Sequence, residues 1–189
     1  LEDAVYAFQH PAVVEQVTRI TGLAAMEPDS ELYAGGISAM GEGAYLRPHL
    51  DNSHDRERHR YRVLNLLWYV SPGWDEPNGG NLQLWDNGPK GEPRTIVSRF
   101  NRLVLMATDR TSWHSVNEVR LPELRCCVSN YYFSTQSPDA GDYFHATSFR
   151  PERATGWRDL AMRADNALRT GVLKATGNRL FSNPHVYKR

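Results

Sequence analysis

The feature that most constrains this chain is a series of short segments, between about residues 31 and 134, in which apolar and polar residues alternate with a period of two. Segments near 31–40, 44–50, 61–70, 81–85, 94–97, 102–107, 112–119 and 125–134 are rich in Val, Leu, Tyr and Trp. They are separated by Gly-Glu-Gly, Pro-Gly, Asn-Gly-Gly, Asn-Gly-Pro and Leu-Pro-Glu, residues that reverse the chain. About eight short strands with such turns predict a mainly β fold, an antiparallel sandwich or barrel with flanking helices.

The period returns to helical at both ends. His10 to Thr21 begins with Pro11, spaces Val14, Val17 and Ile20 on one side and stops at Gly22, so a helix is expected there. After Pro151, Trp157, Leu160, Ala161, Ala164, Leu168 and Val172 form one stripe, with Arg158, Arg163, Arg169 and Lys174 largely off it. That stripe is expected to pack across the outside of the barrel. With 189 residues, 40% of them hydrophobic, the chain suits one core. A single domain over 1–189 follows, with its β core at about 31–134 and a basic helical extension at about 150–189. There is no internal repeat.

Twenty-two basic residues balance twenty-two acidic ones, which removes the whole-chain electrostatic argument for nucleic-acid binding. The balance is uneven, +6 over residues 145–189 and −6 over 1–144. Either the tail is an attachment surface for an acidic partner, or, more simply, it is the solvated face of a packed helix. No apolar run approaches the roughly 18 residues of a membrane span. The two cysteines, Cys126 and Cys127, are adjacent in a strand and point to opposite faces, which favours a reducing, cytoplasmic setting. The chain starts without Met, so an upstream segment is allowed for, and oligomeric state is not legible.

Three of the seven histidines fall between 49 and 59. His49 and Asp51 form a His-x-Asp pair that shares one face if extended. Such pairs arise by accident, and His114, in a later strand, changes the odds. Two imidazoles and one carboxylate on one face of a barrel make the set that binds Fe(II) and leaves coordination positions open. Arg125 opens the most strand-like run, RCCVSNYYFS. An inward arginine needs a carboxylate, which either a structural acid or an acidic cosubstrate can supply. 2-Oxoglutarate meets the second requirement, chelating iron at one end and reaching Arg125 at the other, with O2 in the remaining position. The charged stretch Asn52 to Arg62 reads as a solvated loop or a strand entrance. His10, His145 and His185 read as surface residues, and Trp68, Trp74 and Trp113 as packing.

Taken together, YLRPHLDN, RVLNLLWYVSPGW, GGNLQLWD, TIVSRFNRLVLMAT and WHSVNEV followed by Arg125 resemble the Fe(II)- and 2-oxoglutarate-dependent dioxygenases of the prolyl-hydroxylase type. The likeness runs from about Tyr33 to Phe133 and is nearest to the group that hydroxylates a proline of a small-subunit ribosomal protein. It implies a double-stranded β-helix, a distorted jelly roll. It implies His49, Asp51 and His114 as iron ligands and Arg125 as the 2-oxoglutarate clamp. Ser129 and Cys127 share the clamp's face, and Ser129 adds a hydroxyl. The tyrosine that helps to hold 2-oxoglutarate in relatives is replaced near Met40, so Tyr45 or Tyr131 is expected to serve. Two further departures concern the substrate: 189 residues leave no room for the second, metal-free barrel of eukaryotic relatives, and the basic C-terminal helix lies outside the shared pattern.

The resemblance implies hydroxylation of an unactivated C–H, with succinate and CO2 formed. A prolyl residue of a protein or peptide is the expected target, and a free amino acid, biosynthetic intermediate or sugar the alternative. Arg47, Asn65, Tyr69, Trp85, Asn117 and Asn130 are candidate substrate residues. Two rivals are weaker. His54-Asp55 matches the motif of His-Asp phosphohydrolases, but those are helical and this region alternates. A non-catalytic barrel would usually have lost one of His49, Asp51, His114 or Arg125.

Overall fold

A computed structural model describes residues 1–33, 35–151 and 156–176. Expectations that fall on 152–155 and 177–189, including His185 and the last basic residues of the tail, lie outside the described residues. Two helices lead, α1 (Glu2–Tyr6) and α2 (Pro11–Thr21). Ten strands follow: β1 (Glu27–Pro28), β2 (Gly36–Met40), β3 (Leu46–Leu50), β4 (Tyr61–Tyr69), β5 (Leu82–Leu84), β6 (Arg94–Ile96), β7 (Arg102–Ala107), β8 (His114–Val116), β9 (Arg125–Ser134) and β10 (Ser148–Phe149). A last helix, α3 (Gly156–Thr176), closes the described chain. Helix α2 starts where Pro11 allows it, with the His10 ring accepting from the Ala12 amide at 3.2 Å, and stops at Gly22 in the left-handed region.

The strands form two antiparallel sheets. One runs β1-β9-β4-β7, with β2 also pairing β9, and the other runs β10-β3-β8-β5-β6. Every segment expected to be extended contributes a strand, while α1, β1 and β10 are too short to leave a periodic signal. The alternation along β4 and β9 sorts their side chains into two cores. Leu64, Leu66, Val128 and Tyr132 face the helices and pack with Val5, Phe8 and Val17. Tyr69 and Cys127 point the other way and pack with Leu82, Leu67, Leu84, Ile96 and Val104. Each fully buried side chain of this size contributes about 1.5–3 kcal/mol. Cys126 and Cys127 are free thiols, the first half-buried and the second buried.

Two expectations are corrected. Helix α3 turns its predicted apolar stripe outward: Trp157, Leu160 and Leu168 are 72%, 68% and 68% exposed. Asp159, Met162, Asn166, Thr170 and Leu173 face the protein instead. Two polar clamps choose this face. The Arg150 guanidinium meets Asp159 at 3.6 Å, and Arg58 donates to the Leu173 carbonyl at 2.6 Å. The stretch 52–62 is likewise no solvated loop. Ser53, His54, Asp55 and Arg62 are buried. Asp55 holds the turn through the His59 amide (2.9 Å) and the Arg60 guanidinium (2.8 Å), while the Ser53 amide donates to the His145 carbonyl and the His145 amide donates to Ser53 Oγ. His145 is therefore half-buried, its ring stacked on Tyr143.

The Gly79-Gly80 pair fixes the start of β5. At Gly79 (φ +73°) a Cβ would stand 1.9 Å from the Glu118 carbonyl oxygen, whereas at Gly88 (φ +74°) it would meet nothing within 4 Å. Gly79→Ala is expected to cost about 3 kcal/mol or more, because backbone must move. Gly88→Ala bears only the cost of the left-handed conformation, about 1 kcal/mol. Urea unfolding of the two variants against the parent measures the difference.

Candidate metal centre and cosubstrate pocket

Antiparallel pairing of β3 with β8 sets His49 directly opposite His114, and β10 sets Phe149 opposite His49 on the other side. The His49 ring lies between them, 4.1 Å from the His114 centroid and stacked on Phe149 at 5.2 Å. The β3 register shifts by one residue between Leu46 and His49. That bulge resets the alternation, so Tyr45 does not share the face of His49 although four residues separate them. Asp51 follows the strand end and turns its carboxylate to both rings, with Oδ1 at 3.6 Å from His49 Nε2 and Oδ2 at 3.7 Å from His114 Nε2. One ligand atom from each of the three lies within 4.8 Å of the others.

The same local device orients both imidazoles. Nδ1 of His49 meets the Arg47 carbonyl and Nδ1 of His114 the Ser112 carbonyl, each at 2.9 Å and each two residues back. With Nδ1–H donating there, Nε2 carries the free lone pair a metal requires. Burial and the neighbouring His114 lower the His49 pKa to about 4, against the pull of Asp51, so the ring is neutral. Burial alone would raise the Asp51 carboxyl. The Arg62 guanidinium outweighs it, with the two imidazoles and the Asn65 amide, and holds that carboxyl well below the usual carboxylate range.

Arg62 and Asn65 are the residues that sequence reasoning undervalued. Arg62 is 2% exposed, pairs with Asp51 Oδ2 at 3.2 Å, donates to Asn52 Oδ1 at 2.9 Å and lies over the Tyr131 ring at 4.0 Å. Asn65, a candidate for substrate, donates its amide to the same Oδ2 at 2.7 Å. Both bonds occupy Oδ2 and leave Oδ1 as the freer donor. The available signal was position: Arg62 belongs to the longest apolar run before Trp74, where a solvated charge has no place.

Arg125, at the start of β9, is 4% exposed. Its Nε donates to the Gly80 carbonyl at 3.0 Å, Nη1 touches Met40 Sδ at 3.7 Å, and no carboxylate among the described residues lies within ion-pair distance. Gly80 permits this approach, since a Cβ there would meet Arg125 Cγ at 3.0 Å. Tyr69 presents its ring 4.8 Å from the guanidinium carbon, and its buried hydroxyl has no partner of hydrogen-bond geometry. Burial pushes the Tyr69 pKa up to about 12, against the pull of Arg125, so the phenol keeps its proton. A buried cation without a counter-ion and an idle donor beside it are costly alone and suited together to a carboxylate. The donor sets thus fit an iron ion at one place and the distal end of 2-oxoglutarate at the other.

The remaining candidates separate by strand parity. Ser129 and Tyr131 share the inward face of β9 with Arg125. The Ser129 hydroxyl already meets the Gly36 carbonyl at 3.3 Å, and Tyr131 sits beneath Arg62 rather than at Arg125. Tyr45 is 50% exposed on an outer groove that Arg47 also lines. The phenol beside Arg125 is that of Tyr69, not Tyr45 or Tyr131. Asn130 faces the helices and donates to the Val5 carbonyl. Trp85 is buried with its indole N–H on Ser115 Oγ, and Asn117 pins the Asn81 amide. These three serve the scaffold.

Arg125→Ala removes two charge-assisted bonds of about 1.5–3 kcal/mol each and should weaken 2-oxoglutarate binding about a hundredfold or more in anaerobic titration. Arg125→Lys should lie between, since an ammonium cannot reproduce the paired contact. Tyr69→Phe should weaken it about five- to tenfold, yet leave the ligand-free melting temperature little changed, because the lost hydroxyl, though near Ser98 and Arg125, meets neither in good hydrogen-bond geometry.

The family model for the 2OG-Fe(II) oxygenase superfamily matches residues 35–133, more than half of the chain. Prolyl 3-hydroxylase OGFOD1 of Mus musculus is 31% identical over 96 residues, 48% of this chain and 17% of the mouse protein. Its Xenopus laevis counterpart is 31% identical over 105 residues, 53% and 18% respectively. The chain therefore spans less than a fifth of the length of these relatives. Among solved structures, a prolyl 4-hydroxylase from Phytophthora capsici aligns with 93% of this chain and 55% of its own (TM-score 0.53, 17% identity). An oxidoreductase of the 2OG-Fe(II) oxygenase family from Burkholderia pseudomallei aligns with 72% of this chain and 58% of its own (TM-score 0.52, 14% identity). At these identities the two structures speak for the fold. The chain belongs to the 2OG-Fe(II) oxygenase superfamily, whose reaction uses Fe(II), 2-oxoglutarate and O2.

Proposed function

We propose that this chain is the catalytic domain of a hydroxylase that acts on a prolyl residue of a protein or peptide, with His49, Asp51 and His114 holding Fe(II) and Arg125 and Tyr69 holding 2-oxoglutarate. The two sheets are read as the halves of a double-stranded β-helix in one domain. The observation that carries the reading is the coexistence of a His-Asp-His set, two buried imidazoles and a half-buried carboxylate, with a buried arginine that lacks a carboxylate partner among the described residues. A metal site alone would suit a structural ion, and Arg125 alone a structural pair. The prolyl target rests on the OGFOD1 relatives, and the presence of all three ligands and the arginine supports turnover over ligand binding alone.

Fe(II), 2-oxoglutarate and O2 together supply the oxidation of an unactivated C–H, with succinate and CO2 as by-products. The residues of the chain bind, orient and shield. His49 and His114 present Nε2 because their Nδ1–H groups are held by backbone carbonyls. Asn65 and Arg62 hold Asp51 Oδ2, which would leave Oδ1 free for an ion and keeps the carboxylate charged. Arg125 and the Tyr69 phenol take the distal carboxylate, and Leu67, Leu84, Ile96 and Val104 make the space between the sheets apolar, which excludes water.

With Fe(II), ascorbate and 2-oxoglutarate, the purified chain should release succinate, and His49→Ala, Asp51→Ala and His114→Ala should release none while melting as cooperatively as the parent. Zn(II) and Co(II) should bind the parent without turnover. Succinate release by His114→Ala at the parental rate would overturn the ligand assignment.

A further inference from the structure

An open groove of about 380 Å³ lies between α3 and the β3–β10 edge, within the size range of ligand sites. The strand side offers Leu46, Arg47 and Phe149, and the helix side Met162, Asn166 and Arg169. The Phe149 ring, which forms part of the groove, is the ring stacked on His49, so groove and metal centre share one aromatic wall. Helix α3 spans the groove between its two clamps, at Asp159 and at Leu173.

Three properties of the lining point to an extended chain as the occupant. Asn166 Oδ1, on the inward face of α3, is buried without a hydrogen-bond partner, an acceptor that a backbone N–H group would satisfy. Leu46, Phe149 and Met162 give an apolar floor suited to a ring or aliphatic side chain. The charges do not cancel: Asp165 is paired with Arg169 at 2.9 Å, whereas Arg47 is exposed and has no acid within ion-pair distance among the described residues. Arg47 lies two residues from His49, about 7 Å along a strand.

We propose that this groove seats the substrate as an extended peptide segment bearing an acidic residue within one to three positions of the residue oxidised, with α3 as one wall and Arg47 as the acid's partner. The proposal rests on the reading of His49, Asp51 and His114 as the metal centre. The helix wall lies outside the 35–133 that the family model matches, whereas Arg47 lies within it.

The test is 15N-resolved NMR of the full chain with diamagnetic Zn(II) and 2-oxoglutarate, titrated with three pools of proline-containing decapeptides whose neighbouring residues are acidic, neutral or basic. The acidic pool should shift the amides of Arg47, Phe149, Met162 and Asn166 and bind at least tenfold more tightly than the basic pool. Arg47→Glu should reverse that order, Arg47→Ala should abolish the preference, and Asn166→Trp, which fills the groove, should weaken the acidic pool at least tenfold. Shifts elsewhere, equal binding of the three pools, or binding of none overturns the proposal. Shifts at Arg125 and Tyr69 on addition of 2-oxoglutarate report separately on the cosubstrate reading: their absence overturns that reading, and their presence with no peptide shifts overturns the groove alone.

Discussion

The site of this protein is organised around one negative charge held at the edge of the interior, the half-buried Asp51 carboxylate. Taking a carboxylate out of water costs several kcal/mol unless its neighbours replace the lost solvation. Here they are Arg62 and Asn65, both from β4, and two imidazoles, from β3 and β8. Arg62 in turn must be desolvated, so it lies over the faces of Tyr131 and Phe133 and ties itself to Asn52. The inward course of the chain from Asn52 to Arg62 follows from this arrangement. A highly charged segment folds as a compact turn because its last arginine is claimed by the carboxylate and the others find internal partners.

Arg125 poses the opposite problem. It is a buried cation with aromatic and sulfur contacts but no acid. A scaffold selected for stability alone would supply a carboxylate or replace the arginine with an apolar side chain, which is often neutral or stabilising. Leaving the site unpaired costs stability, which on the proposed function is the cost of a place for a carboxylate from solution. Asp51 and Arg125 thus differ in kind: the first is compensated by the chain, and the second has no acid beside it among the described residues.

Helix α3 shows how electrostatics can overrule hydrophobic pattern at a surface. The stripe of Trp157, Leu160 and Leu168 would ordinarily choose the buried face. Instead Asp159 and the carbonyl of Leu173 are held by Arg150 and Arg58, and the half-polar face containing Met162 and Asn166 turns to the strands. A helix attached by two polar contacts encloses a groove instead of sealing it.

The strands, the first long helix and the candidates His49, Asp51 and His114, which the fold brings together, were legible in the sequence, because alternation, turn residues and spacing are local properties of the chain. Parity along β9 was legible too, and applied consistently it would have removed Asn130, which cannot share a face with Arg125. The partners of the charges were not legible. That Arg62 turns in to Asp51, that Tyr69 and not Tyr45 or Tyr131 stands at Arg125, and that α3 presents its polar face all depend on which side chains the folded sheets bring together. A one-residue bulge in β3 suffices to part Tyr45 from the face of His49. The sequence by itself determined the elements and the chemical types at the site, since these follow from residues near one another along the chain. The tertiary structure alone decided the pairings, because burial sets the cost of each charge and only the packed fold says which groups are left to share it.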